Sequence, residues 1–126
     1  VIASRIHHVS FAIGDLDRSR RFYEGVLGLE PIPRPPLGVA GVWYRLGDCE
    51  VHLIVTPPGA EVGTAPGRIT PIANHSAFAI EDYEAALAHF EAKGIEVLAT
   101  GAERGQMWVR DPDGNVLELI VPPRAG

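Results

Sequence analysis

The sequence predicts an α+β fold of two βαβββ modules in a pseudo-twofold arrangement, with a curved mixed sheet and the helices outside. Three observations carry this expectation. His8-Val-Ser-Phe-Ala-Ile-Gly-Asp15 matches His75-Ser-Ala-Phe-Ala-Ile-Glu-Asp82 at an offset of 67 residues. Gly28-Leu-Glu30 matches Gly94-Ile-Glu96, and Val51-His-Leu-Ile-Val55 matches Leu117-Glu-Leu-Ile-Val121, both at an offset of 66, so the second helix is one residue shorter. Each half, read for periodicity, gives a strand, a helix and three strands in that order. The repeat divides the chain into a first module over 1–56, a linker over 57–71 and a second module over 72–126. At 126 residues the two together make one domain.

Ile6 to Ile13 reads as a strand, with Val9, Phe11 and Ile13 on a bulky face and His8, Ser10 and Ala12 on a small one. Asp15 is placed to cap a helix whose buried stripe is Leu16, Phe22, Tyr23, Val26 and Leu27, and Gly28 is placed to end it. The prolines between Leu29 and Pro36 allow only a short edge strand. Val39 to Leu46 and Glu50 to Val55 then read as two strands joined at Gly47-Asp48. Thr56 to Pro71, rich in Pro and Gly, reads as a linker or mobile loop. After it, Asn74 to Ile80 repeats the first strand. Asp82 caps a helix with the stripe Tyr83, Ala86, Leu87 and Phe90, and Gly94 ends it. Ile95 to Ala99, Gln106 to Arg110 and Val116 to Val121 complete the second module.

The turn Asp111-Pro-Asp-Gly-Asn115 enters the last strand. Proline presets φ there, glycine accepts a positive φ, and the Asp and Asn side chains can bond nearby backbone. In that strand Leu117, Leu119 and Val121 share one face while Val116, Glu118 and Ile120 share the other. Glu118 is therefore an acid within an apolar run, and it stands where His52 stands in the first module.

Composition narrows the class of function. A formal net charge of −5, with scattered arginines, argues against a nucleic-acid partner, which requires a basic face. No apolar run is long enough for a membrane span, the first residues lack the pattern of a signal peptide, and a single cysteine, Cys49, fits a reducing compartment. The expectation is a cytoplasmic protein.

The amphipathic helix of each module must cover the bulky face of its sheet. His8 and His75 are then left on the small-residue face, where Ser10, Ala12, Ala77 and Ala79 leave room for a ligand. If the last strand of each module adds its polar residue to that face, His8, His52, His75 and Glu118 form a donor set suited to a divalent metal such as Zn, Ni, Fe, Co or Mn. His52 fits three roles there: fourth ligand, support for a ligand, or substrate contact. By strand parity His7 belongs to the helix-packed face, and His89 lies off the helix stripe. Trp43 and Arg45, repeated as Trp108 and Arg110, read either as a stacking wall with an anion clamp or as an exposed sheet face with arginines reaching to water.

The His-Val-Ser-Phe-Ala-Ile stretch, the helix from Phe22-Tyr23 to Leu27-Gly28, and the Asp-Pro-Asp-Gly-Asn turn before Leu-Glu118-Leu resemble the vicinal oxygen chelate superfamily across essentially the whole chain. The resemblance places His8, His75 and Glu118 on the family's three most recurrent metal-ligand positions. It places His52 on the fourth, where glyoxalase I carries Glu and methylmalonyl-CoA epimerase Gln. It implies a glyoxalase-I-like metal-dependent lyase or isomerase acting on a small oxygen-rich substrate, anionic or enolate-forming, through a metal-chelated enolate-type intermediate. In that reaction the metal is the Lewis acid and Glu118 the catalytic base. Ser10, Trp43, Arg45, Trp108 and Arg110 are the substrate-binding candidates. The same family holds the alternatives: an Fe(II) extradiol-type dioxygenase, a fosfomycin-type thiol transferase, or a metal-free drug-sequestering protein like those of bleomycin resistance. Two-module chains of this kind often form homodimers, with the site within one chain or shared between two.

Overall fold

The structure, a computed structural model, describes residues 1–123; residues 124–126 of the expected second module lie outside them. The chain divides into two compact units, Val1–Thr64 and a second that begins at Ala65, a boundary inside the expected linker.

The first unit runs β1 (His8–Ile13), α1 (Leu16–Tyr23), β2 (Pro31–Ile32), β3 (Gly41–Leu46) and β4 (Cys49–Val55). Its sheet has the order β1-β4-β3-β2. β1 and β4 are parallel and the other pairs antiparallel, so Pro31 falls on the edge strand, where a missing N–H is tolerated. The second unit repeats this as β5 (Ser76–Ala79), α2 (Tyr83–Ala92), β6 (Leu98–Gly101), β7 (Gln106–Arg110) and β8 (Val116–Ile120), in the order β5-β8-β7-β6. Each unit is thus a four-stranded mixed sheet with one helix, and the expected α+β class holds.

Register assigns the faces. In the first sheet Phe11 pairs with Leu53 and Leu53 with Val42, while Val9 pairs with Val51 and Val51 with Tyr44. α1 covers this side: the Tyr23 ring stacks against Phe11 at 5.9 Å and Tyr44 at 6.2 Å. The opposite face carries His8, Ser10, Glu50 and His52. In the second unit Tyr83, Phe90, Met107, Val109, Leu117 and Leu119 are buried, the β7 and β8 members alternating with Trp108 and Glu118.

Local chemistry ends the helices. Asp15 accepts a hydrogen bond from the Arg18 N–H at 2.8 Å, and Asp82 accepts one from Ala85 at 3.0 Å. Gly94, at φ 69°, closes α2: its N–H donates to Glu91 O and that of Ile95 to Phe90 O, each at 3.0 Å. The first helix differs from expectation, for α1 ends at Tyr23 and a looser turn continues to Gly28. The N–H groups of Val26 and Leu27 both donate to Phe22 O, and the Leu29 N–H donates to Tyr23 O. Gly25 permits this, because a Cβ there would lie 2.4 Å from Arg21 O. Ser19, on the buried stripe of α1, is fully buried, a position that a reading for apolar residues passes over.

His7 is corrected as well. It is exposed ahead of β1 and not on the helix-packed face, and its Nδ1 lies 2.9 Å from Nδ1 of His8. The strand register begins at His8, so period-two alternation does not govern the residue before it. Among the described residues no helix is long and apolar enough to cross a membrane.

Candidate functional site

Two rows of side chains cross the exposed-side face of the first sheet. Ser10, His52 and Trp43 form one row, and His8, Glu50 and Arg45 the next. The His52 ring is buried and lies between two others: Trp43 at a centroid distance of 4.2 Å and 8° tilt, and His8 at 4.1 Å and 14°. Glu50 is the functional candidate that the sequence reading missed. Its Oε1 is 2.9 Å from His52 Nε2, and its Oε2 accepts from Arg45 Nη2 at 3.1 Å. Two signals were available for it: Glu50 is two residues from His52 on one strand, and pairing about the Gly47-Asp48 turn sets it opposite Arg45.

These contacts tune charge. The hydrogen bond from His52, and then that from Arg45, hold the Glu50 carboxyl below the ordinary carboxylate value against the opposing effect of desolvation. The His8 imidazole is also lowered, first by desolvation and then by repulsion from His52 and His7, with Glu50 acting the other way.

In the second sheet one row holds Ala77, Glu118 and Trp108. Glu118 is buried in a hydrogen-bonded setting: His75 Nε2 lies 3.0 Å from its Oε1, and Gln106 Nε2 donates to its Oε2 at 3.2 Å. His75 precedes β5, with its Nδ1 2.8 Å from Ala73 O. A carbonyl oxygen can only accept, so Nδ1 carries a hydrogen and Nε2 is the nitrogen aimed at the carboxylate. The indole N–H of Trp108, directly across the ladder from Glu118, is buried and without a hydrogen-bond partner. Leaving such a donor unpaired costs about 1–3 kcal/mol.

Both arginines have carboxylate partners, Arg45 with Glu50 and Arg110 with Glu96 at 3.3 Å. Either would have to leave that partner to hold a substrate anion. Ser10 lies exposed in the same row as His52.

The donors fall two to a module: His8 and His52 in the first, His75 and Glu118 in the second. Among the described residues no three His, Cys, Asp or Glu side chains gather as a metal-holding group. The pair in the second module nevertheless fits a divalent cation. With Nδ1 protonated, Nε2 of a neutral His75 faces Glu118 Oε1 as one electron-pair donor facing another, 3.0 Å apart, so a proton or a cation must be shared between them. Ligands about 2.1 Å from one metal ion at right angles have about this separation. The hydrogen bonds from His75 to Ala73 and from Gln106 to Glu118 are the outer contacts that orient such ligands.

Comparison with known proteins identifies the family of the chain. The chain is 31% identical over 120 residues to Glyoxylase I 4 of Arabidopsis thaliana, covering 90% of this chain and 68% of that one. It is 30% identical over 107 residues to the mitochondrial methylmalonyl-CoA epimerase of Bos taurus, covering 80% and 61%. It therefore spans only part of either relative. A solved Bacillus anthracis structure assigned to the glyoxalase family superimposes with a TM-score of 0.79 at 26% identity, covering 98% of both chains. A family model matches residues 5–119, and on that match the chain belongs to the Glyoxalase/Bleomycin resistance protein/Dioxygenase superfamily.

Proposed function

We propose that this chain is a glyoxalase-I-like, metal-dependent lyase or isomerase for a small oxygen-rich substrate that is anionic or forms an enolate. The observation that carries the reading is the pairing of His75 Nε2 with Glu118 Oε1, two donors that need a shared proton or cation. His8 and His52, which hold the matching places in the sequence repeat of the first module, are candidate donors by that correspondence, and a homodimer is the assembly we infer. The location we infer is cytoplasmic. A divalent ion, one of Zn, Ni, Fe, Co or Mn, would act as a Lewis acid that stabilises negative charge developing on substrate oxygen.

The chain's own groups have separate tasks. Glu118 is the base we assign: with Oε1 loosened from the ion, the carboxylate would take a proton from the substrate carbon beside the carbonyl and return it, while Gln106 holds Oε2 in place. Trp108 offers its unpaired N–H to a substrate oxygen and so satisfies a donor that is otherwise orphaned. Arg110, whose partner Glu96 is exposed, can turn to a substrate anion at little cost, since such surface pairs are worth only about 0–1 kcal/mol.

The test has two measurements. Protein stripped of metal is titrated calorimetrically with Ni, Co, Zn and Mn, and α-hydroxycarbonyl compounds are followed by NMR in D2O for deuterium uptake at carbon. The expected result is stoichiometric metal binding, with exchange that requires metal and is lost in Glu118→Gln. Failure to bind any of these ions would overturn the reading. A second reading, a binding protein that works without metal, is favoured by one observation: the Trp43–His52–His8 column of rings is complete without one. Its signature is equal affinity of stripped and loaded protein for a flat aromatic ligand.

A further inference from the structure

We infer that the guanidinium of Arg34 is an oxyanion-binding site on the histidine-bearing face of the first sheet, built to take a carboxylate or phosphate group of a small molecule. The site belongs to the first unit alone and needs no metal.

Register puts Arg34 on that face. The β2–β3 ladder pairs Pro31 with Tyr44 and Ile32 with Trp43, and the same register carried two residues further sets Arg34 across from Gly41. Gly41 belongs to the side of Trp43 and Arg45, because alternate residues of a strand share a face. A Cβ at Gly41 would lie 3.0 Å from Arg34 Nη2 and 3.1 Å from its Cζ, so the guanidinium fills the space that a side chain there would take. Beneath it run Ala12, Ile54 and Gly41, one row beyond Ser10, His52 and Trp43.

The loop fixes the cation before any ligand arrives. Pro33, Pro35 and Pro36 flank Arg34 and hold the backbone extended around it, and Gly38, at φ 77°, turns the chain back. Arg34 Nη2 then donates to Val39 O at 2.8 Å. A guanidinium has five N–H groups, and this is the hydrogen bond that Arg34 makes among the described residues; its Nε is buried without a partner. Arg34 and Arg110 are the half-buried arginines among those residues, and Arg110 has Glu96. Arg34 has no carboxylate. The acid of its own face, Glu50, is engaged by Arg45 and His52. Arg45 stands four residues along β3 from Gly41, about 13 Å in an extended strand.

The internal repeat shows what is missing. Trp43 and Arg45 recur as Trp108 and Arg110 at an offset of 65, which sets Gly41 against Gln106. Gln106 pairs across the ladder with Gly101, so each module opposes one glycine to one long polar donor, with the strands exchanged. In the second module the donor is an amide, Gln106 Nε2, and its acceptor is the Glu118 carboxylate at 3.2 Å. In the first module the donor is a guanidinium, and His52, which stands in the place of Glu118, brings no oxyanion. A ligand carboxylate or phosphate accepting from two N–H groups of the planar fork completes that pair.

The full chain, dialysed free of metal so that no bound ion can hold the anion, is titrated with inorganic phosphate and with acetate at constant ionic strength. Backbone amide NMR and the Arg34 Nε–H resonance report binding and its place. The expected result is saturable shifts at Arg34 Nε and at the amides of Gly38, Val39 and Gly41 with at least one of the two anions, and the one that binds names the group recognised. Arg34→Ala should weaken that binding at least about tenfold. Arg34→Gln, which keeps a donor for Val39 O without the charge, should do the same, and Arg34→Lys, which keeps the charge without the fork, should weaken it less. Arg104→Ala, which removes an exposed arginine ahead of β7, should bind as wild type does. No saturable shift with either anion would overturn the assignment, as would undiminished binding in Arg34→Ala or Arg34→Gln, which leaves Arg34 as a fastening for its loop and nothing more. Should Arg34→Ala not fold, Arg34→Gln carries the test. Metal uptake without an anion response removes this site and leaves the proposed function standing, and an anion response without metal uptake does the reverse.

Discussion

Glu24 ties α1 to its sheet, for its carboxylate accepts from Tyr44 OH at 2.8 Å and from Arg20 Nε at 2.5 Å. The Arg20 hydrogen bond, opposed by desolvation and aided by Tyr44, holds the Glu24 carboxyl below its ordinary value, while burial, and then Glu24, push the Tyr44 phenol upward. A carboxyl with a depressed folded-state pKa stabilises fully above its unfolded value, about 4.3 for Glu, and loses that contribution as pH falls through the folded value. Glu24→Gln should therefore cost about 1 kcal/mol at pH 7, and the gap to wild type should close in acid. Urea unfolding across the acid range checks both statements. At the proposed site, Glu118→Gln and His75→Ala should each weaken metal binding at least about tenfold. His7→Ala should change it far less, since His7 lies exposed ahead of β1 and meets His8 through Nδ1 and an edge-on ring contact. Equal losses in the His7 and His8 variants would show that His7 is a donor.

The secondary-structure elements end where local chemistry says they should, and this can be measured one junction at a time. Asp82→Ala removes the side-chain acceptor for Ala85 N–H and should cost about 1 kcal/mol. Gly94→Ala forces a side chain into a φ of 69° and should cost about 1–2 kcal/mol, although a Cβ there meets no atom within 4 Å. The largest loss should come from the β7–β8 turn. Asp111 is buried, its Oδ1 accepting from Asp113 N and Asn115 N and its Oδ2 from Asn115 Nδ2, all at 2.8–2.9 Å. Asp111→Ala should cost about 3 kcal/mol, because buried donors lose a charged acceptor. Chemical denaturation of the three variants gives the ranking, and an Asp111 variant no weaker than Asp82→Ala would contradict it. The caps, Gly94 and this turn were legible beforehand, since each depends on residues within a few positions of one another. The early end of α1 was not, because it depends on how carbonyls crowd at Gly25.

At the scale of the whole molecule the repeat is a repeat of sheet order, β1-β4-β3-β2 and β5-β8-β7-β6, with different chemistry mounted at matching places. Metal held at the proposed His75–Glu118 pair should stabilise the protein by mass action, by about 2.7 kcal/mol at a free concentration one hundred times Kd. Binding should also release protons, because the proton shared by His75 and Glu118 must leave. Thermal unfolding with and without metal, and calorimetry in two buffers of different ionisation enthalpy, measure these effects. No metal-dependent shift in wild type, or the same shift in Glu118→Gln, would remove the site from the metal reading.

The sequence by itself determined the two-module order, the bulky and small faces of the histidine strands, the helix caps and the turn before Glu118. Those features follow from side-chain period and from turn chemistry, which act between near neighbours. Only the tertiary structure decided the partners of the polar groups. Glu50 between Arg45 and His52, Gln106 on Glu118, Glu96 on Arg110 and the unpaired Trp108 N–H depend on strand register and rotamer. The nitrogen that each histidine presents is of the same kind. A sequence states that an imidazole is present, but the acceptor that packing brings within about 3 Å determines which of its nitrogens keeps the hydrogen.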